Sequence, residues 1–308
     1  MSSIAQHLKL RVKRWRHRRL AAGILATPAI VPRDDGLVLF SMIGHKVVLP
    51  YLVAVKSLHR HLGRGRIILL DDGTLTLADR RVLAAHLGDP QVIAIDDVAT
   101  GPCPRRNVWE RLLAILDLRA HHYVVQLDSD TVTLGPVPEV VAAIDAGRSF
   151  TLLGEGDATL ASTAAFVAGR ARVDLLDPAT HVQAAAEAML DRMTFQGRTL
   201  QYVRGCAGFA GFAPSADGRS VAEALSIEMD RLIGRKQWGR WGAEQVAANF
   251  VVANDPAPVM LPYDRYFNFW NDGMPDDAAF AHFIGTCRFH GNAYFDATQR
   301  AIAALLDR

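Results

Sequence analysis

Cysteine is scarce in this chain: Cys103, Cys206 and Cys287 are the only three among 308 residues. Their odd number and wide spacing build no disulfide framework, so free thiols in a reducing compartment fit best. Acid is missing from residues 1–25, which carry Lys9, Arg11, Lys13, Arg14, Arg16, Arg18 and Arg19. The whole chain is nonetheless close to neutral at +2, so the remainder is mildly acidic. A basic head on an acidic body is a local adhesive, not the footprint of a nucleic-acid-binding fold, and no nucleic-acid partner is expected. Long apolar runs are missing too. The stretch "LAAGILATPAIV" (20–31) is short and broken by Pro28, whereas a spanning helix needs about 20 apolar residues. No apolar core follows the N-terminal charges ahead of a small-residue cleavage site, so no secretory signal is read. Repeats, low-complexity tracts and long linkers are absent. These absences lead to the expectation of a soluble, cytoplasmic protein.

What is present is apolar content: half of the residues, enough for one large core or two modest ones. Residues 4–22 have helical spacing, with Leu8, Val12 and Trp15 on one face and arginines around the rest. Such a segment suits a solvated or flexible tail, peripheral contact of residues 8–19 with an anionic membrane surface (the cytoplasmic face of an inner membrane), or RNA. From residue 36 buried-strand runs alternate with helical periods. "GLVLFSMIG" (36–44), "RIILLDDG" (66–73), "QVIAID" (91–96) and "YVVQLD" (123–128) read as strands, and the segments between them as helices. This alternation predicts an α/β fold with a parallel sheet and right-handed crossovers. Residues 157–200 are alanine-rich and read as helical, "YVRGCAGFAGFA" (202–213) as a glycine-punctuated strand pair, "WGAEQVAANFVVAN" (241–254) as helical in its first half, and a terminal helix begins near residue 296.

The segment "VVQLDSDTVTLGP" (124–136) ends an apolar strand on two acids two positions apart. In open α/β sheets ligands sit beyond the carboxyl ends of strands. With a period of two, Asp128 and Asp130 point to one side and Ser129 to the other. Paired carboxylate oxygens suit a hard divalent cation whose shell is completed by substrate phosphates. Aspartates at a strand end also form turns by bonding their own backbone.

The stretch "RLLAILDLRAHHYVVQLDSDTV" resembles the Asp-x-Asp segment of GT-A fold glycosyltransferases, most closely family 8, the galactosyl- and glucosyltransferases related to glycogenin. "LPYDRYFNFWN" resembles that family's Leu-Pro…Tyr-Asn segment, and "HFIGTCRFHG" its His-Phe-x-Gly-x-x-Lys-Pro-Trp motif, in the same order. The resemblance covers roughly residues 36–295. It implies a GT-A (Rossmann-like), mixed and mainly parallel sheet flanked by helices in a single domain. Residues 1–35 would be a basic N-terminal segment and 36–308 the glycosyltransferase domain, with a nucleotide-binding half (36–150) and an acceptor and sugar half (151–308).

Carried over residue by residue, the resemblance gives Asp128, Asp130 and His282 as ligands of Mn²⁺ or Mg²⁺, the imidazole favouring Mn²⁺. Arg288 stands in place of the family's lysine, where a guanidinium can clamp a diphosphate. Arg111 matches the family's helix arginine near sugar and phosphate. Ser41 and Ile43, within the stretch up to His45, would border the nucleotide base, and Asp71 or Asp72 the base or ribose. Ser129, Cys206 and Gly285 complete the expected donor-binding set. Gln245 is the expected stabiliser of the reacting sugar, with Glu244 beside it or acting as a general base. Two segments depart from the family. Cys206 in "GCAGF" replaces an asparagine, and Val246 in "EQVAAN" replaces an aspartate.

The function implied is transfer of a hexose from a nucleotide-sugar, a UDP-sugar, to a glycan or lipid-linked acceptor in polysaccharide biosynthesis, with retention. The alternatives are a sugar nucleotidyltransferase and a non-catalytic, membrane-associated adaptor that kept the fold. Trp238, Trp241 and Trp270 offer aromatic faces for an acceptor or packing for a core. Cys287 and His290 lack the second pair a zinc site needs. "GCAGFAG" lacks the Gly-Lys-Ser/Thr ending of a phosphate loop.

Overall fold

The computed structural model describes residues 2–175, 177, 179–285 and 287–307, with the side chains of residues 2–7 excepted. In chain order the strands are β1 Leu37–Ile43, β2 Arg66–Asp71, β3 Gln91–Ala94, β4 Tyr123–Leu127, β5 Thr131–Thr133, β6 Phe150–Leu153, β7 Ala161–Ser162, β8 Gln201–Tyr202, β9 Gly205–Phe212, β10 Val259–Met260, β11 Tyr266–Asn268 and β12 Phe280–His282. The chain divides into two compact units, neither continuous in sequence. The first is built from the residues before 94, Leu127–Val141 and the residues after 261; the second is built from Ala94–Gln126 and Ala142–Leu261.

In the first unit β1 and β2 run parallel, with Ile43 opposite Asp71, and β3 lies beyond β2. Every β1 residue but Met42 is buried, as a strand covered on both faces requires. The helix Val48–Leu62 connects β1 to β2. It stops at Gly63, whose left-handed backbone (φ 64°) lets its N–H reach back to the His59 carbonyl. The helix Leu77–Leu87 starts on a reciprocal pair of bonds: the Thr76 hydroxyl accepts from the Asp79 N–H, and the Asp79 carboxylate accepts from the Thr76 N–H. A smaller sheet has the order β11-β12-β5. In it β11 is parallel and β5 antiparallel to β12, so that Asn268 and Thr131 both stand opposite His282.

The basic N-terminal segment is a helix, Ser2–Ala21, and it is docked. His17 is 2% exposed and stacks on Tyr294 with ring centroids 3.9 Å apart, while its Nε2 bonds the Thr298 hydroxyl at 2.9 Å. Lys13 Nζ donates to the Phe289 carbonyl at 2.6 Å. The docked stripe is therefore half-buried Lys13 with buried His17 and Ala21, spaced four apart, rather than the Leu8, Val12 and Trp15 face, which is exposed. Among the described residues no helix is long and apolar enough to cross a membrane.

In the second unit the strand order is β10-β6-β9-β4, with β6 antiparallel to β9 and parallel to β10. The α/β class and the mixed, mainly parallel sheet flanked by helices match expectation. Local details differ. The stretch 202–213 is not a strand pair but one eight-residue strand, β9, because β8 turns away to pair with β7. Its glycines answer to crowding: a Cβ on Gly211 would stand 2.3 Å from the Phe150 ring. Among the described residues of 157–200, helix is limited to Thr163–Ala168, Val182–Glu187 and a 3₁₀ turn at Leu190–Arg192. Alanine's preference is only a few tenths of a kcal/mol per residue and does not carry short stretches past their polar breaks. The helix Ala243–Asn254 instead runs its full length, because Phe250, Val251, Val252 and Ala253 are all buried and tertiary packing decides their state. The terminal helix is Ala293–Leu306.

Candidate metal centre

Asp128 follows directly on β4, and the turn 128–131 is closed by the Thr131 hydroxyl donating to the Asp128 carbonyl at 2.9 Å. β5 then pairs with β12, which places His282 opposite Thr131 and one residue from Asp130. The Phe283 N–H donates to the Asp130 carbonyl at 2.8 Å and continues the ladder past the acids. One ligand atom each of Asp128, Asp130 and His282 lies within 4.8 Å of the other two. Among the described residues this is the one group of three such ligands.

Asp130 and His282 are buried, and Asp128 is half-buried. The His282 Nε2 lies 3.3 Å from Asp130 Oδ1, and its Nδ1 lies 3.0 Å from Asn268 Oδ1. An amide oxygen accepting from Nδ1–H fixes the tautomer, so the Nε2 lone pair faces the carboxylates. Two acidic oxygens and an aimed imidazole nitrogen are a fitting donor set for a divalent cation, and the nitrogen suits Mn²⁺ better than Mg²⁺. Asn268 itself was not among the expected site residues. Its signal was its place in "LPYDRYFNFWN", but what it touches depends on the β11–β12 pairing.

Arg288 joins the same group. Its Nη2 pairs with Asp130 Oδ2, and its Nε donates to the Phe283 carbonyl at 2.9 Å. Burial pulls its guanidinium below the usual arginine value, against the pull of Asp128 and the neighbouring Tyr294. Ser129 is half-buried in the turn, and Gly285 is exposed with φ 32°.

Ser41 is buried in β1, and its hydroxyl donates to the Leu127 carbonyl at 2.6 Å, one residue before the acidic turn. Ile43 is buried at the end of β1. Asp71 accepts from the backbone N–H of Gly73 and Leu75 and pairs with Arg80 at 2.5 Å, while Asp72 caps Thr74. Both are occupied as turn formers.

The remaining expected residues lie together in the second unit. The Arg111 Nη2 reaches both oxygens of Glu244, at 3.2 and 3.1 Å, and the two side chains are 8% and 2% exposed. Just before Arg111's helix, Arg106, Asn107 and Val108 all have positive φ (72°, 51° and 68°). For a β-branched valine this is a strained conformation, of the kind that marks functional segments. Gln245 accepts from the Ala207 N–H at 3.3 Å and donates to Gln183 Oε1 at 3.2 Å. Cys206 is buried in β9 opposite Leu152. Val246 is fully buried and serves the core. Trp238 is fully buried edge-on to Trp109, its ring N–H donating to Ser226 at 2.9 Å, and so belongs to the core. Trp241 and Trp270 are exposed.

No family model and no curated protein sequence matches this chain. Solved structures do. An apo structure of the bifunctional glycosyltransferase WbbM matches with a TM-score of 0.51 at 14% identity, over 91% of this chain and 53% of that one, so this chain spans about half of its length. An active-site mutant of LgtC matches with a TM-score of 0.51 at 12% identity, over 87% of this chain and 95% of that one. The galactosyltransferase LgtC in complex with donor and acceptor sugar analogs matches with a TM-score of 0.50 at 13% identity, over 86% and 95%. The fold is thus one that glycosyltransferases use.

Proposed function

We propose that this chain is a metal-dependent glycosyltransferase that moves a hexose from a nucleotide-sugar donor, a UDP-sugar, to a glycan or lipid-linked acceptor in polysaccharide biosynthesis, with retention. The observation that carries this reading is the Asp128–Asp130–His282 group, with the imidazole aimed by Asn268. A fold shared with glycosyltransferases, one of them solved with donor and acceptor sugar analogs, supports it. Mn²⁺ or Mg²⁺ held there supplies charge neutralisation for a departing nucleoside diphosphate.

The chain's own residues do the rest. Asp128 and Asp130 offer hard oxygen ligands, and Asn268 holds His282 in the ligating tautomer. Arg288 brings a fixed positive charge and a planar fork matched to phosphate oxygens. Ser41 braces the acidic turn from beneath through the Leu127 carbonyl. Glu244 is already neutralised by Arg111, so a role in accepting hydrogen bonds from the donor sugar suits it better than proton abstraction. Gln245 offers amide dipoles to the sugar, and the buried Cys206 stands where the family's asparagine would reach it.

The test is a thermal-shift panel of nucleotide sugars with and without Mn²⁺. One UDP-sugar should raise the melting point in a metal-dependent way, because a ligand that binds only the native state stabilises it. Asp130→Ala should abolish the shift. A wild-type chain indifferent to every nucleotide would return the adaptor reading.

The same proposal places the protein on the cytoplasmic face of an anionic membrane. Leu8, Val12 and Trp15 are exposed among Lys9, Arg11, Arg16 and Arg19, an apolar and basic surface that suits acidic lipid headgroups. Co-sedimentation with vesicles containing phosphatidylserine, lost in Trp15→Glu and absent with neutral vesicles, is the expected result. Binding to RNA at physiological salt instead would reassign this face.

A further inference from the structure

The carboxylate most central to the metal centre is already engaged from both sides. Asp130 Oδ1 faces His282 Nε2 at 3.3 Å, and Oδ2 is paired with the Arg288 guanidinium. That guanidinium is no loose surface group. Its Nε is tied to the Phe283 carbonyl at 2.9 Å, and Phe283 is the residue whose N–H bonds the Asp130 carbonyl. The turn that bears it is fixed as well. The N–H groups of Cys287 and Arg288 both bond the Ile284 carbonyl, and Lys13 Nζ bonds the Phe289 carbonyl at 2.6 Å.

We propose that Arg288 competes with the divalent cation for Asp130, so that cation and nucleoside diphosphate bind as a couple and each binds weakly alone. This rests on the function proposed above. Charge counting gives the reason. With neutral His282, the two aspartates carry two negative charges, and Arg288 already offsets one. A divalent ion arriving alone turns the cluster net positive and leaves the partly buried guanidinium beside another cation. A diphosphate arriving alone meets a cluster that still carries one net negative charge, its one cation already paired with Asp130. Arriving with the ion, the diphosphate would offer the arginine fork a second anionic partner whose paired oxygens match it, leaving Asp130 available to the cation. Coupling of this kind is reciprocal: whatever factor the nucleotide adds to cation affinity, the cation adds to nucleotide affinity.

Mn²⁺ binding can be read directly, without turnover, from the loss of the free-ion signal in electron paramagnetic resonance. Titrations are run on the full chain with and without UDP. In the wild type, saturating UDP should tighten Mn²⁺ binding by about 10–100-fold, the usual span of such coupling. In Arg288→Met, Mn²⁺ alone should bind about tenfold more tightly than in the wild type, and the factor contributed by UDP should shrink towards one. Arg288→Lys keeps the charge but loses the two-point tether to Asp130 and Phe283, and should fall between them. It also serves where the methionine variant melts early. Equal or weaker Mn²⁺ binding by Arg288→Met in the absence of UDP overturns the proposal, as does a wild type whose Mn²⁺ affinity ignores UDP. Asp130→Asn separates the two levels. If it binds Mn²⁺ as well as the wild type, the metal centre itself is misassigned; if it loses Mn²⁺ while Arg288→Met gains nothing, only the competition fails.

Discussion

Removing the side chain of Asn268 is the most direct probe of the metal centre. Asn268 is 2% exposed and His282 is 6% exposed, and the bond between them is 3.0 Å long. In Asn268→Ala the His282 Nδ1–H stays buried and loses this acceptor, which costs about 1–3 kcal/mol of stability. The imidazole is then free to rotate or change tautomer, and Nε2 no longer faces Asp130. Losing such a supporting bond weakens metal affinity by about 10–100-fold, or about 1.4–2.8 kcal/mol at about 1.4 kcal/mol per decade. Asn268→Asp keeps an acceptor at the same reach and should hold affinity near that of the wild type. The assay is Mn²⁺ titration in the presence of UDP, with urea unfolding as the measure of stability. If Asn268→Ala binds Mn²⁺ as the wild type does, His282 is not a ligand and the reasoning fails. If Asn268→Asp falls as far as the alanine variant, the acceptor bond is not what aims the ring.

Three further outcomes follow from other parts of the chain. The Arg111–Glu244 pair is almost fully buried, so Arg111→Met or Glu244→Leu alone should cost about 3–5 kcal/mol by removing the charge that offsets the other, while the double variant recovers most of that. Urea unfolding of the four-member cycle decides, and additive single costs would contradict it. Burial, helped by the Arg288 charge, lowers the His17 pKa from 6.5 to about 4. The unfolded chain therefore takes up a proton that the folded chain refuses. Stability should fall as pH drops from about 6.5 towards 4, by about 3 kcal/mol in full, and His17→Phe should flatten that part of the profile. Gly44→Ala would set a Cβ 2.1 Å from Asp72 Oδ2, in a side chain already tied to Thr74, and should cost about 1–3 kcal/mol in the same unfolding assay.

The α/β class was legible because buried parallel strands announce themselves as unbroken apolar runs between helical periods. The meeting of Asp128, Asp130 and His282 was legible for a different reason: the acids sit two apart at a strand end, and the histidine lies in a motif of matching order. Three features were not. The docking stripe of the N-terminal helix is Lys13, His17 and Ala21, and a search for apolar periodicity passes over a lysine and a histidine. The second half of 241–254 is apolar and rich in valine, which reads equally as strand or buried helix until its neighbours are known. The pairing of Arg288 with Asp130 joins residues 158 positions apart, and no local pattern encodes which oxygen an arginine will meet. Local chemistry was readable, and of the long-range partnerships only the one carried by a motif was.

The placement of β12 between β11 and β5 also sets an order of events during synthesis. Asp128 and Asp130 leave the ribosome long before His282, and the loop between them must close against the entropy of a long chain segment. Until β12 has slotted in beside β5, the aspartates lack their imidazole partner, so a nascent chain cannot offer a cation all three side chains of this trio. Closing of the trio is thereby a late event, and it certifies that the middle and last segments of the first unit have found each other.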